Sequence, residues 1–248
     1  MTRTVTKGFS LSDLPERPVR FFSHGGKLGD IVYALPAIRG AGGGSLVLYP
    51  TQVRPLMYMQ PIHADFLRSL FTAQDYIDTV SWSPTVIGFD FEVWRLHYYP
   101  GLTIAAHKLK IFDLPLSECE TPWIKAQPYR VAGTVFCRSA RYRNPKFPWK
   151  EVHAKYDDAV FIGTPDEHRD FEREIGEVPY YPARDAMDIA QAIAGADLFV
   201  GNQTFVTALA EAMKVRLVME VAPDPFFQNC IYPRDGAIYG FDEHVLLP

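Results

Sequence analysis

The chain has 248 residues, enough for one large domain or two small ones. With 48% hydrophobic and 14% aromatic residues it can build a packed core, which excludes general disorder. Its net charge of −4 gives no global attraction to nucleic acid or anionic membrane. Three scattered cysteines, Cys119, Cys137 and Cys230, form no C-x-x-C pair; they suit reduced thiols and argue against a disulfide frame or a zinc site. No apolar run approaches the roughly 18 residues of a membrane helix, and Met1–Arg20 lacks the apolar centre of a signal peptide. These features predict a cytoplasmic globular protein with a loose arm over residues 1–17.

In chain order, Val19–Ser23 reads as a buried strand, His24–Asp30 as a glycine-rich turn, and Asp30–Ile38 as a helix. Ser45–Tyr49 is a second strand, Gln52–Phe71 a helix interrupted at Pro55 and Pro61, and Ile77–Trp82 a third strand. Residues 84–102 are ambiguous: Phe89–Trp94 alternates like a strand, and Tyr98–Gly101 reads as a turn. Thr103–Phe112 is a helix. Pro115–Pro128, with its prolines and polar residues, reads as an interdomain connection. The alternation then restarts, with strands at Tyr129–Cys137, Asp158–Thr164, Val178–Tyr181, Leu198–Val200 and Leu217–Val221. Helices begin near Trp149, at Pro165, after Asp185 and at Gln203. This rhythm predicts an α/β protein with two Rossmann-like domains facing across a cleft, over residues 18–120 and 121–248.

Three glycines in His24-Gly25-Gly26-Lys27-Leu28-Gly29-Asp30 first suggest a phosphate cradle, although neither the G-x-G-x-x-G spacing nor a G-K-[ST] ending is present. Gly201-Asn202-Gln203-Thr204 is the stronger phosphate turn, because it ends a buried strand and opens a small-residue helix. A plain capped turn with Asn202 as N-cap fits the same spacing. The loop 138–146 carries Arg138, Ser139, Arg141, Arg143 and Lys146 at the exit of a strand; it suits phosphate oxygens or is simply a solvated basic loop. Gly163 and Thr164 end another strand beside a possible nucleoside, or start an ordinary helix. Glu220 stands where a ribose diol would bind. Asp90 and Glu92 share a strand face without a third ligand, so no metal is expected.

The opening turn with Leu35-Pro36, the loop from Arg138 to Trp149 and the turn Phe199–Thr204 together resemble the ADP-heptose:lipopolysaccharide heptosyltransferases, glycosyltransferases of the GT-B fold. Asn202-Gln203 stands where that family more often carries Asp-Thr. The resemblance implies an inverting, metal-independent transferase that needs no cofactor beyond its nucleotide-sugar co-substrate. The acceptor would be a glycan or other hydroxyl. Asp30 would be the general base, or else only a helix cap. His24, Gly25, Gly26, Lys27 and Gly29 would form the acceptor-side floor. Arg138, Ser139, Arg141, Lys146, Gly163, Thr164, Gly201, Asn202, Gln203, Thr204 and Glu220 would form the donor side. Alternatives are a non-catalytic nucleotide-sugar-binding protein and an enzyme that modifies nucleic acid bases. Non-hydrolysing sugar-nucleotide epimerases share the fold.

Overall fold

The computed structural model describes residues 20–50, 59–97, 99 and 101–241. The arm at 1–17, the 52–58 part of the interrupted helix and two positions of the turn at 98–101 lie outside the described residues.

Two parallel sheets organise the chain. The first contains β1 (Phe21–His24), β2 (Gly44–Leu48), β3 (Ile77–Trp82) and β4 (Phe89–Asp90), in the order β3-β2-β1-β4. The second contains β5 (Thr134–Cys137), β6 (Ala159–Phe161), β7 (Leu198–Asn202), β8 (Leu217–Glu220) and β9 (Ala237–Gly240), in the order β6-β5-β7-β8-β9. Every pairing is parallel. Parallel strands require crossovers and are covered on both faces, which is why β2, β5, β7 and β8 are buried at every residue.

The helices are α1 (Leu28–Val32), α2 (Leu35–Gly40), α3 (Pro61–Phe71), α4 (Ile104–Ile111), α5 (Trp149–Lys155), α6 (Pro165–Glu174), α7 (Ala186–Gly195) and α8 (Phe205–Ala212). Several differ from the sequence reading. The helix expected over 30–38 is two short ones, since Pro36 sits in the first turn of α2, where its missing N–H costs nothing. Val178–Tyr181 forms no strand, only a single bridge between Phe161 and Tyr180. Asn202 belongs to β7, and α8 starts at Phe205 with Thr204 as its N-cap. After the two-residue β4, residues Phe91–Leu96 form a 3-10 helix capped by Asp90, whose side chain accepts the Glu92 amide.

The segment expected to be a plain connection is packed into the core. Trp123 and Ile124 are buried and donate their amides to the Ala212 carbonyl at the end of α8. The Trp123 indole donates to the Val32 carbonyl at 3.1 Å, and the Tyr76 hydroxyl donates to the Trp123 carbonyl. Around it α1 lies against α8 and α3 against α7. The main hydrophobic cluster therefore runs unbroken from Phe22 and Leu46 of the first sheet to Val135, Phe199 and Leu217 of the second. Trp123→Ala is expected to destabilise the protein by about 3–5 kcal/mol, read as a lower urea midpoint in a single transition. A loss below about 1 kcal/mol would show that the connector is only loosely held.

Candidate active site

In each sheet the strand order reverses once, between β1 and β4 and between β5 and β7. Crevices at such points, beyond the carboxyl ends of the strands, are where open parallel sheets bind ligands. The β1–α1 turn at the first point and the loops after β5 and β7 at the second line one cavity of about 460 Å³, within the usual range for small-molecule sites. From the first sheet it is lined by the β1–α1 turn, Gly26 to Asp30, with Tyr33, His63 and Ile104. From the second it is lined by Arg141 and Tyr142 of the β5–α5 loop, by Gln203 to Phe205, and by Cys230.

Of the residues singled out in the sequence, Gly26, Lys27, Gly29, Asp30, Arg141, Gln203 and Thr204 meet in this cavity. The others do not line it. Gly25 lies outside it, and His24 is buried beneath it. Gly201 is demanded by strand packing: a Cβ there would stand 2.7 Å from the Cys137 carbonyl oxygen and 2.8 Å from the Phe199 ring. Gly163 passes its carbonyl to the Tyr180 hydroxyl at 2.9 Å. Thr164 caps α6 through a reciprocal pair with Glu167 rather than facing a nucleoside.

The basic loop sorts its cations. Arg138 is buried, with Nε 3.1 Å from Glu220 and Nη1 2.9 Å from Glu174. Arg143 pairs with Glu174 at 2.8 Å and donates to the Ser139 carbonyl. Lys146 is exposed and outside the cavity. Only Arg141 of the four reaches it, and Arg138 and Arg143 are held by Glu174 and Glu220.

Glu220, expected to hold a ribose, is fully buried and occupied. Its carboxylate accepts from Arg138, from the Asn144 amide at 2.6 Å and from the Trp149 indole at 2.8 Å. Asn202, neither a cap nor a lining residue, grips the same loop. Its Oδ1 accepts the Ser139 amide at 2.9 Å, and its Nδ2 donates to the carbonyls of Ser139 and Arg141 at 3.1 and 2.6 Å. Ser139 adds a short-range turn, its hydroxyl donating to the Arg141 carbonyl. The tip that remains is Arg141-Tyr142, with Tyr142 at φ +57°, a conformation bulky side chains rarely adopt.

Opposite this tip, Asp30 sits in the first turn of α1, with its carboxylate 2.7 Å from Arg95. Arg95 also holds Glu92 at 2.6 Å and lies 4.6 Å from the Trp94 ring centroid. With α1 only five residues long, its dipole is slight, and Arg95 is the counter-charge that matters. Beneath lies His24, whose Nδ1 accepts the Gly26 amide at 2.9 Å and whose Nε2 is 2.8 Å from Lys108 Nζ. Burial, then the neighbouring Lys108, lowers the His24 pKa. The ring is neutral, and the 3.0 Å approach of Glu92 is not an ion pair. Gly26 is required by this crowding, since a Cβ would lie 2.7 Å from both the Glu92 carboxylate and the His24 ring. Lys108 is fully buried, donates to the Asp30 carbonyl, and is pushed down to about 7 by burial. The sequence reading missed Arg95, Lys108 and Tyr142. The Glu92/Arg95 spacing of three was the available sign, in a stretch whose strand-like alternation left it ambiguous.

Two outcomes follow from these contacts. Glu220→Gln leaves Arg138 without its buried partner and is expected to cost about 3–5 kcal/mol in urea unfolding; an unchanged midpoint would mean that the loop needs no anchor. Lys108 binds its proton more weakly folded than unfolded, so stability rises with pH above about 7 on its account. Relative to Lys108→Met, the wild type should gain about 2 kcal/mol between pH 7 and 9, whereas parallel pH profiles would show that Lys108 does not titrate there. His24, Asp30, Glu92 and Arg95 are the charged and titratable groups that face it.

No protein-family model matches the chain, and no curated protein is similar to it in sequence. Solved structures are similar in fold. The glycosyl transferase family 9 structure from Veillonella parvula DSM 2008 superposes with a TM-score of 0.58 at 11% identity, covering 91% of this chain and 88% of that one. E. coli heptosyltransferase WaaC with ADP-2-deoxy-2-fluoro heptose gives 0.51 at 13% identity, covering 81% and 88%. The iron-containing dodecameric heptosyltransferase TibC in complex with ADP-D-beta-D-heptose gives 0.53 at 13% identity, covering 92% of this chain but 64% of that one. Among the described residues no group of three or more His, Cys, Asp or Glu is placed to hold a metal ion, and no helix is long and apolar enough to cross a membrane. The chain shares the α/β fold of the heptosyltransferases and of glycosyltransferase family 9.

Proposed function

We propose that the protein is a glycosyltransferase of GT-B architecture, moving a sugar from a nucleotide-sugar donor to an acceptor hydroxyl with inversion. The observation that carries this reading is the single cavity shared by the two strand-order reversals, with Asp30 on one wall and Arg141, Gln203 and Thr204 on the other. The two Rossmann-like halves, divided near residue 120, are the acceptor side and the donor side. The donor's diphosphate lies at the N-terminus of α8, whose dipole favours an anion there, with Arg141 beside it. These charges do the electrostatic work on the leaving group without a metal or a further cofactor.

Asp30 acts as general base. As the acceptor oxygen attacks the anomeric carbon, its proton passes to the Asp30 carboxylate, and the bond to the diphosphate oxygen breaks with its electron pair leaving on the diphosphate. The products are the glycoside and the nucleoside diphosphate. The Arg95 contact orients the carboxylate, and the acceptor must approach the face that Arg95 leaves open. The same contact favours a second reading, a protein that binds a nucleotide sugar without transferring it, because the carboxylate is already engaged at 2.7 Å.

A thermal-shift screen of nucleotide sugars, ADP-sugars among them because two fold neighbours were solved with ADP-heptose ligands, identifies the donor. Hydrolysis or transfer of that donor then separates enzyme from binder. Asp30→Asn should lower turnover by about 10²–10⁴-fold with donor affinity little changed. Wild-type turnover in that variant would remove Asp30 as the base, and donor binding with no turnover in the wild type would favour the binder.

A further inference from the structure

We propose that Lys27, on the β1–α1 turn, is a second diphosphate-binding residue, acting from the wall opposite Arg141, and that Lys146 is not one. The inference rests on the nucleotide-sugar reading and specifies how the donor's charge is met. Lys27 Nζ is 3.5 Å from the Tyr142 hydroxyl and 5.7 Å from the centroid of its ring. The Arg141 guanidinium carbon is 4.7 Å from the same centroid. Two cations from sequence-distant loops thus gather at one ring, at distances where cation–π attraction operates. An anion bound beside that ring would be attracted by both charges.

The remainder of the cavity favours the same anion. Asp30 is its only acidic lining residue among those described, and that carboxylate is engaged by Arg95. The N-cap of α8, Thr204, and the first residue of its helix, Phe205, form the adjoining wall. The backbone supports the arrangement from both sides. Asn202 holds the carbonyls of Ser139 and Arg141, and Tyr142 takes its uncommon positive φ directly after them. Lys27 is the N-cap residue of α1, with extended backbone, and lines the cavity beside Tyr142.

Lys27, the N-cap of α1, and Asp30, in its first turn, both line the cavity. A single turn therefore serves both ends of the reaction. Lys27 meets the negative charge that grows on the diphosphate as the glycosidic bond breaks, and Asp30 takes the proton from the attacking hydroxyl. A diphosphate carries two phosphoryl groups and can present one to each cation, whereas a monophosphate has only one to offer.

Titration calorimetry with ADP, GDP, UDP and CDP, each against its monophosphate, tests this. The wild type should bind one diphosphate more tightly than the corresponding monophosphate. Lys27→Met should weaken that diphosphate about 10- to 100-fold while changing the monophosphate little, and Lys27→Arg should restore most of the loss. Lys146→Met should leave both ligands as in the wild type. Wild-type diphosphate affinity in Lys27→Met, or a loss in Lys146→Met instead, would overturn the assignment. Equal losses for diphosphate and monophosphate, unrelieved in Lys27→Arg, would reduce Lys27 to a structural role. A wild type that binds none of these ligands and no nucleotide sugar overturns the donor reading itself.

Discussion

The cavity depends on one buried carboxylate. Glu220 ends β8 with no exposure to water, and an unmatched charge in that position would be ruinous. Its partners come from three points along the following chain of contacts: Arg138 where the β5–α5 loop begins, the Asn144 amide in its middle, and the Trp149 indole where α5 starts. Asn144 in turn donates to the carbonyls of Val221 and Phe241. The desolvation of one charge is thereby offset by fixing a loop of about ten residues. With Asn202 gripping the loop from β7, what protrudes into the cavity is a two-residue tip whose position is set by the sheet below it.

Much of this architecture was legible in the chain. Strand–helix alternation located seven of the nine strands among the described residues, because parallel strands leave buried, largely apolar runs such as Thr134–Cys137 and Leu217–Glu220. The helix starts read at Thr103, at Pro165 and after Asp185 fall where the side chains of Thr103, Thr164 and Asp185 accept amides. Illegible were features that depend on distant partners. Arg138 and Arg141 are chemically alike and three residues apart, yet one is consumed by Glu220 while the other faces the cavity. Nothing local distinguishes them; the choice is made by a carboxylate about eighty positions away. Glu220 and Asn202 were read as ligand contacts for the same reason: a polar residue at a strand's carboxyl end can serve a ligand or a neighbouring loop, and spacing does not separate the two. β9 was missed altogether, its short Ala-Ile-Tyr-Gly run offering little pattern.

The charges around the cavity are layered. Deep in the first sheet, a neutral His24 and a Lys108 of depressed pKa support the turn through Gly26 and the Asp30 carbonyl. Nearer the surface, Arg95 joins Glu92 to Asp30. Lys27 and Arg141 stand around Tyr142 at the mouth. Burial thus tends to neutralise the inner groups, whereas the outer ones keep full charge where water or a ligand can solvate it.

The aromatic seam around Trp123 has a mechanical consequence. Swinging the two sheets apart as rigid bodies would draw the indole from the Val32 carbonyl, unstack Tyr33 from Tyr232 and separate α1 from α8, exposing apolar surface at each step. Stiffness of that kind disfavours the hinge opening by which many two-lobed proteins admit their ligands. On such a frame, the groups that could yield to an entering ligand at the least cost are the side chains of Lys27, Arg141 and Tyr142 at the cavity wall.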